Sequence, residues 1–181
     1  MITNIRKTTG KLLLKREYAN SFREKQICNI LNAGSIGIVY FLPDEETYRK
    51  VSGYVKKLQD SGKNVKALGY VENKHLTGQF LPKLSYDFLY PTGISWNYKP
   101  NTTAARDFID TEFDILIDLS TESLLPLLYI TALSKAKFKA GLQNDERAGY
   151  LDLMISLQKD EGLDELIVQI HHYLSILNKD K

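Results

Sequence analysis

Two segments of the chain are almost continuously apolar, and they are rich in β-branched and aromatic residues: 35–42 (SIGIVYFL) and 113–119 (FDILIDL). A strand that is buried on both faces has this composition, and such strands are typical of parallel sheets. Residues 64–71 (NVKALGYV) are predicted to form another strand. We therefore expect these three segments to lie side by side and to run in the same direction, with helices covering both faces of the sheet.

Helical patterns separate the strands. Asp44 is a good N-cap for a helix whose apolar face repeats at helical spacing and which stops at Ser61-Gly62-Lys63; the face consists of Tyr48, Val51, Val55 and Leu58. With the strands on either side, this helix makes a strand–helix–strand unit, whose crossover should be right-handed. Three more helices are predicted, at 101–110 with Asn101 or Thr102 as cap, at 124–136 with Ser123 as cap and Pro126 in the first turn, and at 162–178.

Shorter strands are predicted at 86–90, 138–142 and 151–157. Strands that alternate with helices indicate an α/β fold: a three-layer, mostly parallel, doubly wound (Rossmann-like) sheet. The length of 181 residues fits a single domain that spans residues 1–181.

The N-terminal segment is predicted to add a basic helix to this domain, over residues 10–32 and closed by Ala33-Gly34, so that residues 1–33 pack on the domain or project from it. The first 25 residues have a formal charge of +5, whereas the rest of the chain sums to −3. Such a helix could contact a protein, nucleic-acid phosphates or an anionic membrane, or it could be an ordinary solvated face. The candidate partner-binding residues are Arg6, Lys7, Lys11, Lys15, Arg16 and Arg23.

The single cysteine, Cys28, excludes an intramolecular disulfide and is predicted to be a small core residue. The apolar run at 12–14 is too short for a signal peptide, and no segment is long enough to span a membrane. We therefore expect a cytoplasmic protein.

Candidate ligand-binding residues lie where strands end. Asp118, Ser120 and Thr121 follow the strand at 113–119, and Asp44 follows the strand at 35–42. In open α/β sheets, ligands bind in the crevice outside the carboxyl ends of the strands. Arg147, in a charged loop, is a candidate anion ligand. The alternative is that these side chains only satisfy nearby backbone groups or helix ends.

No catalytic residues, metal site or cofactor are predicted. The chain has neither a GxGxxG nor a P-loop sequence. His171 and His172 are adjacent, so on a helix they point about 100° apart and cannot share a metal ion. His75 has no ligand-like neighbours in the sequence.

Two resemblances follow from particular segments. Residues 113–142 (FDILIDLSTESLLPLLYITALSKAKFKAGL) resemble the end of the N-terminal Rossmann-like domain of lipopolysaccharide heptosyltransferases. Over most of its length, through the basic N-terminal segment, FDILIDL, SKAKFKAGL, NDER and YLSILNK, the chain resembles an uncharacterised family of small single-domain Bacteroidetes proteins. The second resemblance implies a single domain and no particular activity.

Two functions are consistent with the sequence. The first is a non-catalytic intracellular binding or adaptor domain that uses the basic helix or the sheet-edge crevice. The alternative is a sugar- or nucleotide-related enzyme or a degenerate glycosyltransferase-like domain, with Asp118 and Ser120 in the cleft, as the local transferase resemblance implies.

Overall fold

A computed structural model describes residues 2–72, 80 and 82–177, with side chains from residue 4 onwards. The strands are β1 (Ser35–Phe41), β2 (Asn64–Tyr70), β3 (Tyr86–Leu89), β4 (Ile115–Asp118), β5 (Phe138–Leu142) and β6 (Leu153–Ile155). The helices are α1 (Ile2–Ala19), α2 (Glu45–Asp60), α3 (Thr103–Asp110), α4 (Leu125–Leu133) and α5 (Leu163–Ile176). A short 3₁₀ helix, Pro91–Gly93, precedes α3.

The strands form one six-stranded sheet in the order β3-β2-β1-β4-β5-β6, and every neighbouring pair is parallel. The predicted Rossmann-like α/β fold is therefore confirmed. Ile36 of β1 lies opposite Val65 on one side and Ile115 on the other. The apolar runs that predicted buried strands thus occupy the centre of the sheet. From that centre, β1 to β3 follow one another toward one edge and β4 to β6 toward the other, so the strand order reverses between β1 and β4.

Helices cover both faces of the sheet. Alternate side chains of the central strands, such as Ile36 and Ile38, pack with α2 and α5 on one face. Their neighbours, such as Val39 and Leu116, pack with α3 and α4 on the other. The N-cap of α3 is Thr102, one of the two predicted, but the N-cap of α4 is Leu124 and not Ser123.

Helix α1 adds a further layer outside α4. Leu14 of α1 is buried in a separate apolar cluster with Leu125, Leu128 and Tyr129 of α4. Because α4 lies between the sheet and α1, it is buried all round, and this explains its almost wholly apolar sequence.

The prediction of a helix at 10–32 is wrong. The helix spans Ile2–Ala19, and residues 20–33 form a non-helical strap. The side chains of Asn20 and Ser21 bond back to the carbonyls of Arg16 and Tyr18, at 2.9 and 2.8 Å, and thereby occupy the acceptors at the helix end. The strap then passes from the α4 side of the sheet to the α5 side, where Ile30 is buried.

Candidate functional site

Three of the predicted cleft residues meet beyond the carboxyl end of β4. Arg147 lies in the loop between β5 and β6, and its Nε is 3.5 Å from Oδ2 of Asp118. Its Nη1 donates to the Ser120 carbonyl at 2.7 Å, and its Nη2 donates to the Glu122 carbonyl. The Asp118 carboxylate also accepts hydrogen bonds from the Ser120 amide and the Thr131 hydroxyl, at 2.9 and 3.0 Å.

This network is closed to solvent. Asp118 is 0% exposed and Arg147 is 2% exposed. A buried charge is tolerated when it has a counter-charge and hydrogen bonds, and both side chains have them. We call Asp118, Ser120, Thr131 and Arg147 the buried clasp, because together they attach the β5–β6 loop to the end of β4. The Ser120 hydroxyl is buried and has no hydrogen bond in the part of the chain that the structure describes.

An open cleft of about 540 Å³ lies beside the buried clasp at the carboxyl edge of the sheet. Asn144 joins the two, since its Oδ1 accepts the Arg147 amide at 2.9 Å and its Nδ2 donates to the Ser123 hydroxyl at 3.0 Å. Amide and hydroxyl groups of this kind can bond to the hydroxyls of a sugar or to the edge of a base. The cleft is lined by Thr121, Leu142, Gln143, Asn144, Asp145, Ser156, Leu157, Gln158 and Glu161.

Asp44 is not part of the cleft. Its Oδ1 accepts the Thr47 amide at 2.8 Å, so that it caps α2, as the sequence predicts. The Thr47 amide and hydroxyl, together with Lys50, lower the pKa of the Asp44 carboxyl. Of the predicted cleft residues, Asp118, Ser120 and Arg147 are therefore together in the buried clasp, Thr121 lines the open cleft, and Asp44 is at a helix end.

Three of the six candidate basic residues at the N-terminus have partners within the chain. Arg6 donates to the Trp96 carbonyl at 2.5 Å and lies 4.7 Å above the ring centre of Tyr98. Lys11 pairs with Glu146. Arg23 belongs to the strap, where its Nη2 lies 2.6 and 2.7 Å from the two oxygens of Asp152.

The other three bases, Lys7, Lys15 and Arg16, are exposed, and none of them forms an ion pair within the described residues. Large apolar side chains are exposed on the same helix and just after it: Ile5 is 58% exposed, Leu12 68% and Phe22 86%. Leu12 is seven residues after Ile5 and four before Arg16, so these three side chains share one face of α1. We call Ile5, Leu12, Lys15 and Arg16, together with Phe22 just after the helix, the outer surface of α1. Lys7 is exposed but lies three residues before Gly10 and seven before Leu14, on the inward side of the helix.

Two charged residues were missed by the sequence analysis. Lys139 of β5 is fully buried, and its Nζ donates to the carbonyls of Thr131 and Ala132 at the end of α4, both at 2.8 Å. Burial, with a contribution from Arg23, lowers the pKa of Lys139 to about 7. The signal was a lysine in the middle of an otherwise apolar strand, FKAGL.

Asp114 is the second, at the amino edge of the sheet. Although partial burial opposes the shift, hydrogen bonds from Lys137, Gly34 and Ser35 lower the pKa of its carboxyl to about 2. It fixes the start of β1 to the start of β4, since it accepts both backbone amides, at 2.9 and 3.0 Å. Its role is therefore to join strands.

In the described ranges, no three His, Cys, Asp or Glu side chains are close enough to hold a metal ion. His171 lies 3.3 Å from the Tyr54 hydroxyl, whereas His75 lies outside the described residues. Within the same ranges, no helix has the length and hydrophobicity needed to cross a membrane.

A family model matches residues 5–177, which is nearly the whole chain. The chain belongs to a family of unknown function, DUF6913. No curated protein and no solved structure matches it. The match to the DUF6913 family includes α1, the strap and the sheet, so the additional N-terminal layer is part of the unit that the family describes. Two surfaces of this DUF6913 protein are therefore candidates for function: the cleft at the carboxyl edge and the outer surface of α1.

Proposed function

We propose that this DUF6913 protein is a binding domain that uses the outer surface of α1 to hold a partner with a negatively charged surface. The observation that carries the proposal is the combination of exposed apolar side chains with bases that have no ion pair among the described residues. Ile5, Leu12 and Arg16 lie on the side of α1 that faces away from α4, and Lys15 flanks them.

Charge supports this proposal. Two acids near α1 are neutralised within the chain, because Glu17 accepts from Lys99 at 2.8 Å and Glu146 pairs with Lys11. The outer surface of α1 retains the charges of Lys15 and Arg16. A surface with one sign of charge attracts partners of the other sign and accelerates their association.

Packing supports the proposal as well. The inward residues of α1, such as Leu14 and Gly10, are explained by their contacts with α4. Those contacts do not account for the apolar side chains of Ile5, Leu12 and Phe22, which are exposed. Single exposed apolar residues are common on proteins, but three of them among bases on one surface indicate a contact area.

The experiment is retention from lysate of the source cells, at low and high salt, on immobilised protein. Lys15→Glu with Arg16→Glu reverses the charge at both bases of the outer surface of α1. The matched control is Lys56→Glu with Lys159→Glu, two exposed lysines elsewhere. We expect the wild type and the control to retain a salt-sensitive partner and the α1 variant to lose it. Equal retention by all three proteins, or none by the wild type, would contradict the proposal.

A second candidate function is supported by the cleft of about 540 Å³ at the carboxyl edge. We propose, as the alternative, that it holds a sugar- or nucleotide-related ligand, because Thr121, Gln143 and Gln158 offer hydroxyl and amide groups where doubly wound folds bind ligands. The clasp residues Asp118, Ser120 and Arg147 would then support its wall, with no direct contact to the ligand.

Thermal unfolding in the presence of nucleotides and nucleotide sugars tests this alternative, since a ligand that binds the folded state raises the unfolding temperature. We expect a shift with at least one compound in the wild type and a smaller one in Gln143→Ala with Gln158→Ala. The alternative is rejected if no compound raises the unfolding temperature of the wild type at roughly 100 μM, which is a hundred times a dissociation constant of 1 μM.

A further inference from the structure

We infer that the partner of the outer surface of α1 is an anionic lipid bilayer, so that the protein binds membranes peripherally. This inference rests on the proposed binding function and adds to it the chemistry of the partner.

The arrangement of the apolar side chains supports a bilayer. Ile5 and Leu12 are seven residues apart on α1, which is about 10 Å along a helix axis, and Phe22 lies beyond the end of the helix. Protein interfaces concentrate their apolar side chains in a compact, buried centre. Leu12 has Lys15 and Arg16 three and four residues after it, and Ile5 lies on the same face. Separate apolar side chains with bases beside them are typical of helices that lie flat in the headgroup region of a membrane.

The charges favour the same partner over the alternatives. Lys15 and Arg16 would lie near lipid phosphates, whereas Ile5 and Leu12 would enter the acyl boundary. Nucleic-acid phosphates would satisfy the bases but would leave both apolar side chains without an apolar contact. A second copy of the chain, docked face to face, would place like charges opposite each other.

The strap holds Phe22 in position for insertion. The next residue, Arg23, is anchored by the Asp152 carboxylate and by the carbonyls of Ala136 and Lys137, at 3.2 and 2.9 Å. The backbone beside Phe22 is therefore fixed while its side chain is 86% exposed. Lys25, two residues after Arg23, also lies 3.6 Å from Oδ1 of Asp152, and Glu24 between the two bases is exposed. Phe22 needs little further ordering before it can enter a bilayer.

Sedimentation with lipid vesicles tests the inference on the full chain. The vesicles contain phosphatidylcholine alone or with an equal part of phosphatidylglycerol. We expect the protein to pellet with the anionic vesicles at about 0.1 M salt and to be released at about 1 M, where charges are screened within a few ångströms. It should stay in solution with the neutral vesicles.

Two double variants separate apolar from electrostatic contributions. Leu12→Ser with Phe22→Ser, and Lys15→Gln with Arg16→Gln, should each weaken anionic vesicle binding at least roughly tenfold. Lys56→Gln with Val168→Ser, an exposed lysine and an exposed valine on the opposite side of the sheet, is the matched control and should bind like the wild type. Circular dichroism and the unfolding temperature verify that each variant is folded.

The inference fails if the folded wild type does not bind anionic vesicles, or if the control variant loses as much vesicle binding as the α1 variants. Retention of a soluble protein or nucleic acid from lysate through Lys15 and Arg16, without vesicle binding, would overturn the inference while leaving the binding function intact. If the wild type binds neither vesicles nor a partner from lysate, the inference and the proposed binding function are both contradicted.

Discussion

Arg147 and Asp118 form an ion pair that is almost completely inside the molecule. Each side chain also has hydrogen bonds to its neighbours, and the Arg147 guanidinium reaches two backbone carbonyls in the segment after β4. A buried pair is costly to break, since removal of one partner leaves the other as an uncompensated charge. At the scale of the residue, then, the charges at the carboxyl edge join segments of the chain that are far apart in sequence.

Arg147→Ala should lower the free energy of unfolding by about 3–5 kcal/mol, because it leaves the Asp118 carboxylate buried without a counter-charge. Urea unfolding at neutral pH measures this change. Arg106→Ala, on the exposed side of α3, is the control and should change it by less than about 0.5 kcal/mol. If the two variants lost similar amounts of unfolding free energy, the buried clasp would not stabilise the fold more than an exposed arginine does.

The lowered pKa of Asp114 predicts how the free energy of unfolding changes at acid pH. Its pKa is lowered in the folded protein, to about 2, from the ordinary 3.8. A lowered carboxyl pKa stabilises the fold above the unfolded pKa, and this contribution disappears as the pH falls through the folded pKa. We expect the wild type to lose about 2 kcal/mol from this group between about pH 4 and pH 2.

The Asp114→Asn variant should lack this loss and should be less stable than the wild type at neutral pH. Urea unfolding at several pH values measures both effects. Asp107→Asn, at an exposed carboxylate of α3, serves as the control and should retain the acid transition. An unchanged acid transition in Asp114→Asn would contradict the assignment.

At the scale of the element, α1 depends on a close approach to the domain. Gly10 lies within the helix, where glycine is unfavourable by about 1 kcal/mol relative to alanine. A Cβ atom there would collide with the Asn97 carbonyl oxygen and lie 2.8 Å from Cδ2 of Leu125. The glycine therefore lets α1 lie close against α4 and the loop before α3.

Gly10→Ala should lower the free energy of unfolding by about 1–3 kcal/mol because it forces α1 away from α4. Gly53→Ala, in the middle of α2, is the matched control: a Cβ atom added there would meet no atom within 4 Å, and it should stabilise by about 0.5–1 kcal/mol. Urea unfolding compares the two, and hydrogen exchange of the α1 amides shows whether the helix loosens. Stabilisation by both substitutions would contradict the close packing.

The elements differ in how far the sequence predicts them. Continuous apolar runs identify β1 and β4 because burial on both faces leaves no polar alternation. The bounds of α1 were wrong because Gly10 weakens the helical pattern where the helix continues, and because the back-bonding of Asn20 and Ser21 is a weak signal beside the apolar Ile27, Ile30 and Leu31. Of the residues to which the carboxyl-edge rule pointed, Thr121 lines the open cleft, whereas Asp44, Asp118, Ser120 and Arg147 do not. The rule could not predict that Arg147 turns inward, since its partner Asp118 is 29 residues away.

At the scale of the whole molecule, the two candidate surfaces are separated. The cleft lies at the carboxyl edge of β4, β5 and β6, whereas the outer surface of α1 forms the outermost layer beyond α4. The strap connects α1 to the start of β1 and crosses from one face of the sheet to the other. Helix α1 also contacts the β5–β6 loop that borders the cleft, because Lys11 pairs with Glu146 and the Tyr18 hydroxyl donates to the Gly149 carbonyl.

Site-specific photo-crosslinking in the source cells is the most direct test of the outer surface of α1. A photoreactive amino acid replaces Leu12, which is 68% exposed, and in a second protein it replaces Val168 of α5, which is 60% exposed on the opposite side of the sheet. We predict crosslinked adducts from position 12 that are absent from position 168. No adducts from position 12, or the same adducts from both positions, would contradict a binding function for this surface.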